Sequence, residues 1–297
     1  MTVAVLETVG ILHPGEMGAV VGEVLAGHDL RVLGALDGRS AGTRARAERA
    51  GFADVGSLRR LVEEADVVLS ILVPSAALET AQAVAREIRA AGSETLYADC
   101  NAVAAGTSRR MGEVIAEAGG RFVDASIIGP PPRQPGKTRF YASGEYAEEF
   151  ARLGEHGLDV RPLGPEIGQA SAIKTCYASV TKGLTALAAI QLAAAHAQGL
   201  DQVLMEELRT SQPALLAFME RSVGGMPPKA HRWIAEMEEH ARAFEDLGLP
   251  GQMMQGAADL FRFAAGTPIA RNAAPDQRFD LADAARALGE ALERETR

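Results

Sequence analysis

Cysteine is almost absent from this chain of 297 residues: Cys100 and Cys176 are its only two. Two thiols cannot build the disulfide framework of a small secreted scaffold, so a reduced cytosol is expected and both cysteines read as small core residues. Aromatics are scarce too, with nine Phe, four Tyr and one Trp, which leaves the core to aliphatic side chains. Basic residues are outnumbered, 30 against 39 acids for a formal charge of −9. That balance argues against nucleic acid as the main partner, because phosphate binding needs a concentrated positive field. A long uncharged apolar run is also missing. The best candidate, 183–199, is about 17 residues long and includes Gln191, His196 and Gln198, short of the roughly 20 that span a bilayer. Residues 1–12 carry Glu7 and no basic stretch, so they do not read as a signal peptide. Together these absences predict a cytoplasmic protein with no membrane partner.

What is present is ordinary globular composition, 47% hydrophobic and 23% charged. The length predicts about two domains, since single cores stop growing beyond roughly 250 residues. The first half alternates short apolar runs with amphipathic stretches. Strands are expected at 9–12, 30–36, 65–73, 95–98 and 121–126, and helices at 17–26, 41–50, 57–64, 76–91 and 105–118. Such alternation implies parallel strands joined by right-handed crossovers. Beyond about Pro165 the strand-like runs stop and Ala- and Leu-rich helical segments take over. The stretch 169–198 has no Pro and predicts a helix roughly 45 Å long. Shorter helices are expected at 201–210, 213–221, 229–247 and 251–265, with breakers at 224–228 and 249–251. The predicted fold is α/β: an N-terminal Rossmann domain with a doubly wound parallel sheet, residues 1–165, followed by an all-α C-terminal domain, residues 166–297.

The chemistry begins at the first strand-to-helix turn, His13-Pro14-Gly15-Glu16-Met17-Gly18. A dinucleotide-binding turn needs small residues so that the backbone can approach the pyrophosphate and the helix can pack on the strand. Gly15 and Gly18 stand in the second and third glycine places. His13 stands in the first, where a positive φ is often required. The second strand should end in the residue that reads the adenosine ribose. There the chain has Asp37, Arg39 and Ser40. Arg39 beside a hydroxyl suits a 2′-phosphate, and so favours NADP(H); Asp37, one register step away, keeps NAD(H) as the alternative.

From this point the sequence resembles the β-hydroxyacid dehydrogenases and the related 6-phosphogluconate dehydrogenase and imine reductase groups. The turn 15–18 is similar to their Gly-x-Met-Gly signature. Asp99-Cys100-Asn101-Ala102-Val103 with Thr107-Ser108-Arg109 resembles their fifth-strand segment. Asp124-Ala125-Ser126-Ile127-Ile128-Gly129 resembles their substrate-binding segment, and 164–174 resembles the stretch that supplies a catalytic lysine, here Lys174. The resemblance implies a hydride transfer between a nicotinamide and a carbonyl or hydroxyl carbon of a small molecule, with Lys174 as general acid/base. It places Val73, Pro74 and Asn101 beside the nicotinamide half and Ser126, Ile127, Ile128 and Gly129 at the substrate. It also implies a homodimer whose long helices intertwine, with the site in the cleft between domains. Departures matter as much. Ile128 replaces a serine, Pro130-Pro131-Pro132 follow Gly129, Tyr177 replaces the residue three after the lysine, and Ala235-Glu236 keeps an acid but loses a lysine. The less polar pocket leaves two alternatives open: an imine reductase with Tyr177 as proton donor, and a non-catalytic NADP(H)-binding protein.

Lys174 has a physical case of its own. A lysine on an apolar helix face is costly to bury charged, so its pKa should fall towards neutrality and fit it for proton transfer. Tyr177 lies one turn on, on the same face. His231, Glu236, Glu239 and His240 are metal-ligand types, but the histidines are nine apart and the segment reads as an amphipathic helix. No metal is expected; Trp233 is taken instead as a substrate-pocket residue.

Overall fold

The computed structural model describes residues 6–274 and 277–295. It divides into two compact units, Met1–Thr175 and Cys176–Arg297.

The first unit is built on one eight-stranded sheet. Its strands are β1 Thr8–Leu12, β2 Arg31–Gly34, β3 Ala53–Asp54, β4 Val67–Ser70, β5 Leu96–Asp99, β6 Arg121–Ile128, β7 Arg139–Ser143 and β8 Val160–Gly164, in spatial order β3-β2-β1-β4-β5-β6-β7-β8. Helices α1 Glu16–Ala26, α2 Ala41–Arg49, α3 Leu58–Glu64, α4 Ala77–Ala91, α5 Ala105–Glu117 and α6 Ala147–Ala151 make the connections. The five strands expected from the apolar runs are all present. The sheet is parallel except where β7 runs antiparallel to β6, so the expectation of a wholly parallel sheet is corrected there. The reason lies in the connection: 129–138 is a proline-rich loop, too short for a crossover helix, and it can only turn the chain back.

Strand order reverses direction between β1 and β4, the place where open α/β sheets bind ligands beyond the carboxyl ends of their strands. The turn after β1, the loop after β4, the loop after β5 and the loop after β6 all leave from that edge. Alternation along the strands sorts two cores. Val9, Ile11, Leu69, Val123 and Ile127 face one side, packed with α1 and α6. Val68, Tyr97, Phe122 and residues of α3, α4 and α5 face the other.

The second unit is all helical, as expected. It contains most of α7 Gln169–Ala197, then α8 Asp201–Ser211, α9 Pro213–Val223, α10 Ala230–Asp246, α11 Gln252–Ala265, α12 Pro268–Arg271 and α13 Leu281–Glu295. Its core is aliphatic and thioether-rich, with Leu192, Met219, Met226, Met237 and Met254 around Phe261. The division between units falls inside α7, after Thr175, ten residues beyond the sequence boundary at 165. The first turns of α7 are fastened to the sheet, as described below.

One expectation is overturned. Cys176 is exposed, unlike Cys100, because it lies on the outward face of α7. And α7, taken by length and composition alone, is long and apolar enough to cross a membrane; 44% of its most apolar stretch is buried within the protein. The helix itself was expected at 169–198 and is present at Gln169–Ala197.

Candidate functional site

The turn after β1 is built as a dinucleotide cradle requires. His13 adopts φ +59°, the left-handed conformation expected at the first glycine place. The amide of Gly15 then donates to the His13 carbonyl at 2.6 Å, closing the turn before α1 starts at Glu16. At Gly18 a Cβ would lie 3.1 Å from the His13 carbonyl oxygen and 3.3 Å from Ile11, so any larger residue would push the helix a few tenths of an ångström off the strand. A Cβ on Gly15 would have one neighbour, at 3.8 Å, which leaves the approach to the helix N-terminus open. Pro14 is buried, and its carbonyl accepts from Arg46 Nη1 at 3.2 Å, tying the turn to α2. Met17 packs on the core beneath the turn, and Glu16 is exposed.

Arg39 comes to this turn from the end of β2. Burial first, and the Arg39 charge second, hold the His13 imidazole below its ordinary pKa. Arg39 Nε and His13 Nδ1 are both buried without a hydrogen-bond partner among the described residues. Buried polar nitrogens of that kind are rare unless something else satisfies them. Ser40 caps α2, accepting from the Thr43 amide at 3.2 Å. Asp37 is exposed. The orphaned guanidinium nitrogen, the open helix N-terminus and the glycine turn fit a dinucleotide.

At the ends of β4 and β5 the side chain of Asn101 does two things. Its Oδ1 accepts from the Leu72 amide at 2.6 Å, and its Nδ2 donates to Ser70 Oγ at 3.0 Å and Asp99 Oδ1 at 2.6 Å. Asn101 is only 3% exposed; it holds the loop that carries Val73 and Pro74. Val73 is 52% exposed on that loop. Asp99 is wholly buried, and burial, aided by Asp124 on the adjacent strand, pushes its carboxyl up to about 7.

Asp124, opposite Asp99 in the β5–β6 register, anchors the start of α7. It accepts from the amides of Gly168 and Ser171, both at 3.0 Å, from Ser171 Oγ at 2.6 Å and from Ser143 Oγ at 2.9 Å. Ser143 Oγ in turn accepts from the Ala170 amide. One turn later Lys174 Nζ donates to the carbonyl of Ile127 at 2.7 Å. The structure thus brings the lysine onto the 126–129 segment, two motifs far apart in sequence. Ser126 is fully buried with an unpartnered hydroxyl, Ile128 is buried, and Gly129 holds φ +134°. Lys174 is half-buried rather than sunk in an apolar face: Ala172 and Ile173 beside it are exposed, since that side of α7 turns outward.

In the second unit, Tyr177 is half-exposed on α7, with no partner for its hydroxyl among the described residues. Trp233 stacks edge-on to Phe261 at 5.1 Å, and the Lys182 ammonium lies 5.5 Å from its ring centre. Sequence reasoning missed Lys182, which forms an ion pair with Glu236. Glu236 is 7% exposed and His240 wholly buried; the heptad-like step from 233 to 240 on α10 was the available signal.

A doubly wound sheet with a glycine turn and an open helix N-terminus at its switch point defines a nucleotide-binding Rossmann domain, here followed by an all-helical unit. Residues 8–153 match the NAD binding domain of 6-phosphogluconate dehydrogenase, and residues 195–264 match a domain of unknown function, DUF1932. The conserved protein MTH1747, of unknown function and described as structurally similar to 3-hydroxyacid dehydrogenases, is 30% identical, with 86% of this chain and 97% of that one covered and a TM-score of 0.66. The 3-hydroxyisobutyrate dehydrogenase of Mycobacterium tuberculosis shares the fold at 19% identity (96% and 99% covered, TM-score 0.70). An imine reductase of Streptomyces aurantiacus shares it at 15% (98% and 100% covered, TM-score 0.53). The chain belongs to the NAD(P)-binding superfamily of β-hydroxyacid and 6-phosphogluconate dehydrogenases.

Proposed function

We propose that this protein is an NADP(H)-dependent oxidoreductase that interconverts a carbonyl and a hydroxyl carbon, with Lys174 as general acid/base. The observation that carries the reading is the Lys174 ammonium 2.7 Å from the Ile127 carbonyl, which orients it over the 126–129 segment. NADP(H), when bound, supplies or accepts the hydride. Gly15, Gly18 and the N-terminus of α1 would hold its pyrophosphate, with Pro14, Glu16 and Met17 shaping that turn. His13 and Arg39, each with a buried orphan nitrogen, would take the adenosine phosphate beside Ser40. Val73 and Pro74, on the loop that Asn101 clamps, would border the nicotinamide. Lys174, as ammonium, gives its proton to the carbonyl oxygen in reduction and, as amine, removes the hydroxyl proton in oxidation. The test is NADPH consumption across a panel of small aldehydes, keto acids and imines. Tight NADPH binding with no turnover on any of them would favour a binding protein instead.

Arg39→Ala should weaken NADPH by tenfold or more, about 1.5–3 kcal/mol for a charged hydrogen bond, and NADH much less. Fluorescence titration with both cofactors measures it; equal weakening removes the 2′-phosphate assignment and leaves NAD(H) as the cofactor.

A second reading follows from Tyr177, whose half-exposed, unpartnered hydroxyl could deliver the proton to an imine. It is tested with the lysine variants below.

Homodimer formation belongs to the same proposal. Tyr177, Val180, Leu184, Leu187 and Ile190 form an exposed apolar stripe at three- and four-residue steps along α7. A groove of about 690 Å³ beside it is walled by Met253, Met254 and Leu260. Contiguous apolar surface on this scale marks an interface, and a second α7 fits it. Leu187→Glu should convert the dimer to monomer in sedimentation velocity runs; an unchanged dimer would place the interface elsewhere.

A further inference from the structure

We infer that Arg139 is a specificity-determining residue that receives a carboxylate group of the substrate. The inference rests on the reading of 126–129 and Lys174 as the substrate site. In the antiparallel ladder of β6 and β7, Ile128 lies directly opposite Arg139, Ser126 opposite Tyr141 and Asp124 opposite Ser143. Opposed residues in such a ladder point to the same face, with Cα atoms about 4.5–5.5 Å apart. The Ser143–Asp124 hydrogen bond fixes which face it is: the one against which α7 starts. Arg139 therefore stands on the Lys174 side of the sheet, across the ladder from Ile128, the position where the related enzymes carry a polar serine.

Arg139 is half-buried, and its guanidinium has no ion-pair or hydrogen-bond partner among the described residues. Most arginines of this acidic chain do have one: Arg31, Arg44, Arg60, Arg121, Arg161 and Arg262, for example, are all in ion pairs. The segment leading to Arg139 is basic in sequence, although Arg133 is paired with Glu23 and Asp159, next to Arg139 across the β7–β8 ladder, is paired with Arg161. Residues 129–139 contain Arg133, Lys137 and Arg139 and no acid, against −9 for the whole chain.

The loop is pinned as well. A Cβ on Gly129 would fall 2.4 Å from the Lys137 carbonyl, and Thr138 Oγ1 donates to the Pro130 carbonyl. Three prolines at 130–132 limit what freedom remains. The loop therefore returns Arg139 to a fixed place beside Ile128. A planar guanidinium in a fixed position suits bidentate recognition of a carboxylate, and the unpartnered Ser126 hydroxyl two residues before Ile128 offers a second polar contact on the same face. The loss of the serine at 128 is thus offset from the neighbouring strand.

The test is isothermal titration of the full-length protein, with and without NADPH, using glycolate, 3-hydroxypropionate and 4-hydroxybutyrate against the matching neutral diols. At least one carboxylate should bind the parent protein, and Arg139→Gln should weaken it tenfold or more, with Arg139→Lys in between. Diol binding, NADPH affinity and the thermal midpoint should stay unchanged. Equal carboxylate affinity in parent and Arg139→Gln overturns the inference, as does a parent that binds NADPH and none of the three acids. Arg139-dependent carboxylate binding without any NADPH binding would uphold Arg139 and overturn the cofactor assignment instead.

Discussion

Replacing Lys174 by Met should lower turnover by about 10²–10⁴-fold, the range for a positioned general acid/base, with NADPH affinity and thermal midpoint nearly unchanged. The residues proposed to hold the adenosine half and pyrophosphate lie on the turns after β1 and β2, whereas the lysine donates to the Ile127 carbonyl at the end of β6. Methionine keeps the length of the stem, and the half-buried position does not demand a charge, so folding is not at stake. The companion variant, Tyr177→Phe, divides the two chemical readings. If the lysine acts on a carbonyl, the tyrosine variant retains most activity. Turnover that survives Lys174→Met and disappears in Tyr177→Phe would replace the first reading with the imine one. Steady-state NADPH oxidation on one accepted substrate reads both.

A second large effect is expected from Asp99, and its sign follows from burial. The carboxyl is wholly buried and pushed up from 3.8 to about 7. A raised carboxyl pKa means that the folded state holds the proton more tightly than the unfolded chain does. Stability is therefore fully present below about pH 4, falls as pH rises towards 7, and levels off above it. The whole span is worth about 4 kcal/mol at 1.36 kcal/mol per pKa unit. Asp99→Asn keeps an acceptor for Asn101 and removes the titration. Urea denaturation at pH 5, 6.5 and 8 should show the parent losing stability across the series and the variant staying flat, more stable than the parent at pH 8. A parent with no such trend, or a variant with the same trend, would refute the assignment to Asp99.

The glycine turn of the candidate site was legible because its physics is local. Gly15 and Gly18 must be small, His13 must tolerate a left-handed backbone, and all three sit between an apolar run and an amphipathic one. Lys174 was legible through its motif, but its contact with Ile127 was not, since a hydrogen bond across 47 residues of chain leaves no periodic trace. β7 and β8 were missed for a different reason. They are as long as β1, but β7 follows a proline-rich, basic loop that does not read as a strand approach, and β8 is an edge strand carrying Pro162, which an edge tolerates. Arg139 was hidden with them: its place opposite Ile128 exists only once the chain has reversed. Asn101 could be read as a residue near the site, while its actual work, holding Leu72, needed the geometry. Helix α13 escaped because its inward positions Ala284 and Ala285 are small, so its apolar stripe rests on Leu281, Leu288 and Leu292.

The stripe along α7 also bears on how the chain comes to be assembled. Val180, Leu187 and Ile190 are each more than half exposed on a folded single chain, so the adhesive surface persists after folding is complete. In the dimer proposed above, pairing and clumping start from the same species, and both depend on encounters between chains. Overproduction from a strong promoter raises the two together, and slow induction at low temperature should shift the outcome towards paired material. Leu187→Glu, by giving the solitary chain a charged face, should stay dispersed to higher concentrations than the parent on refolding, as light scattering would measure.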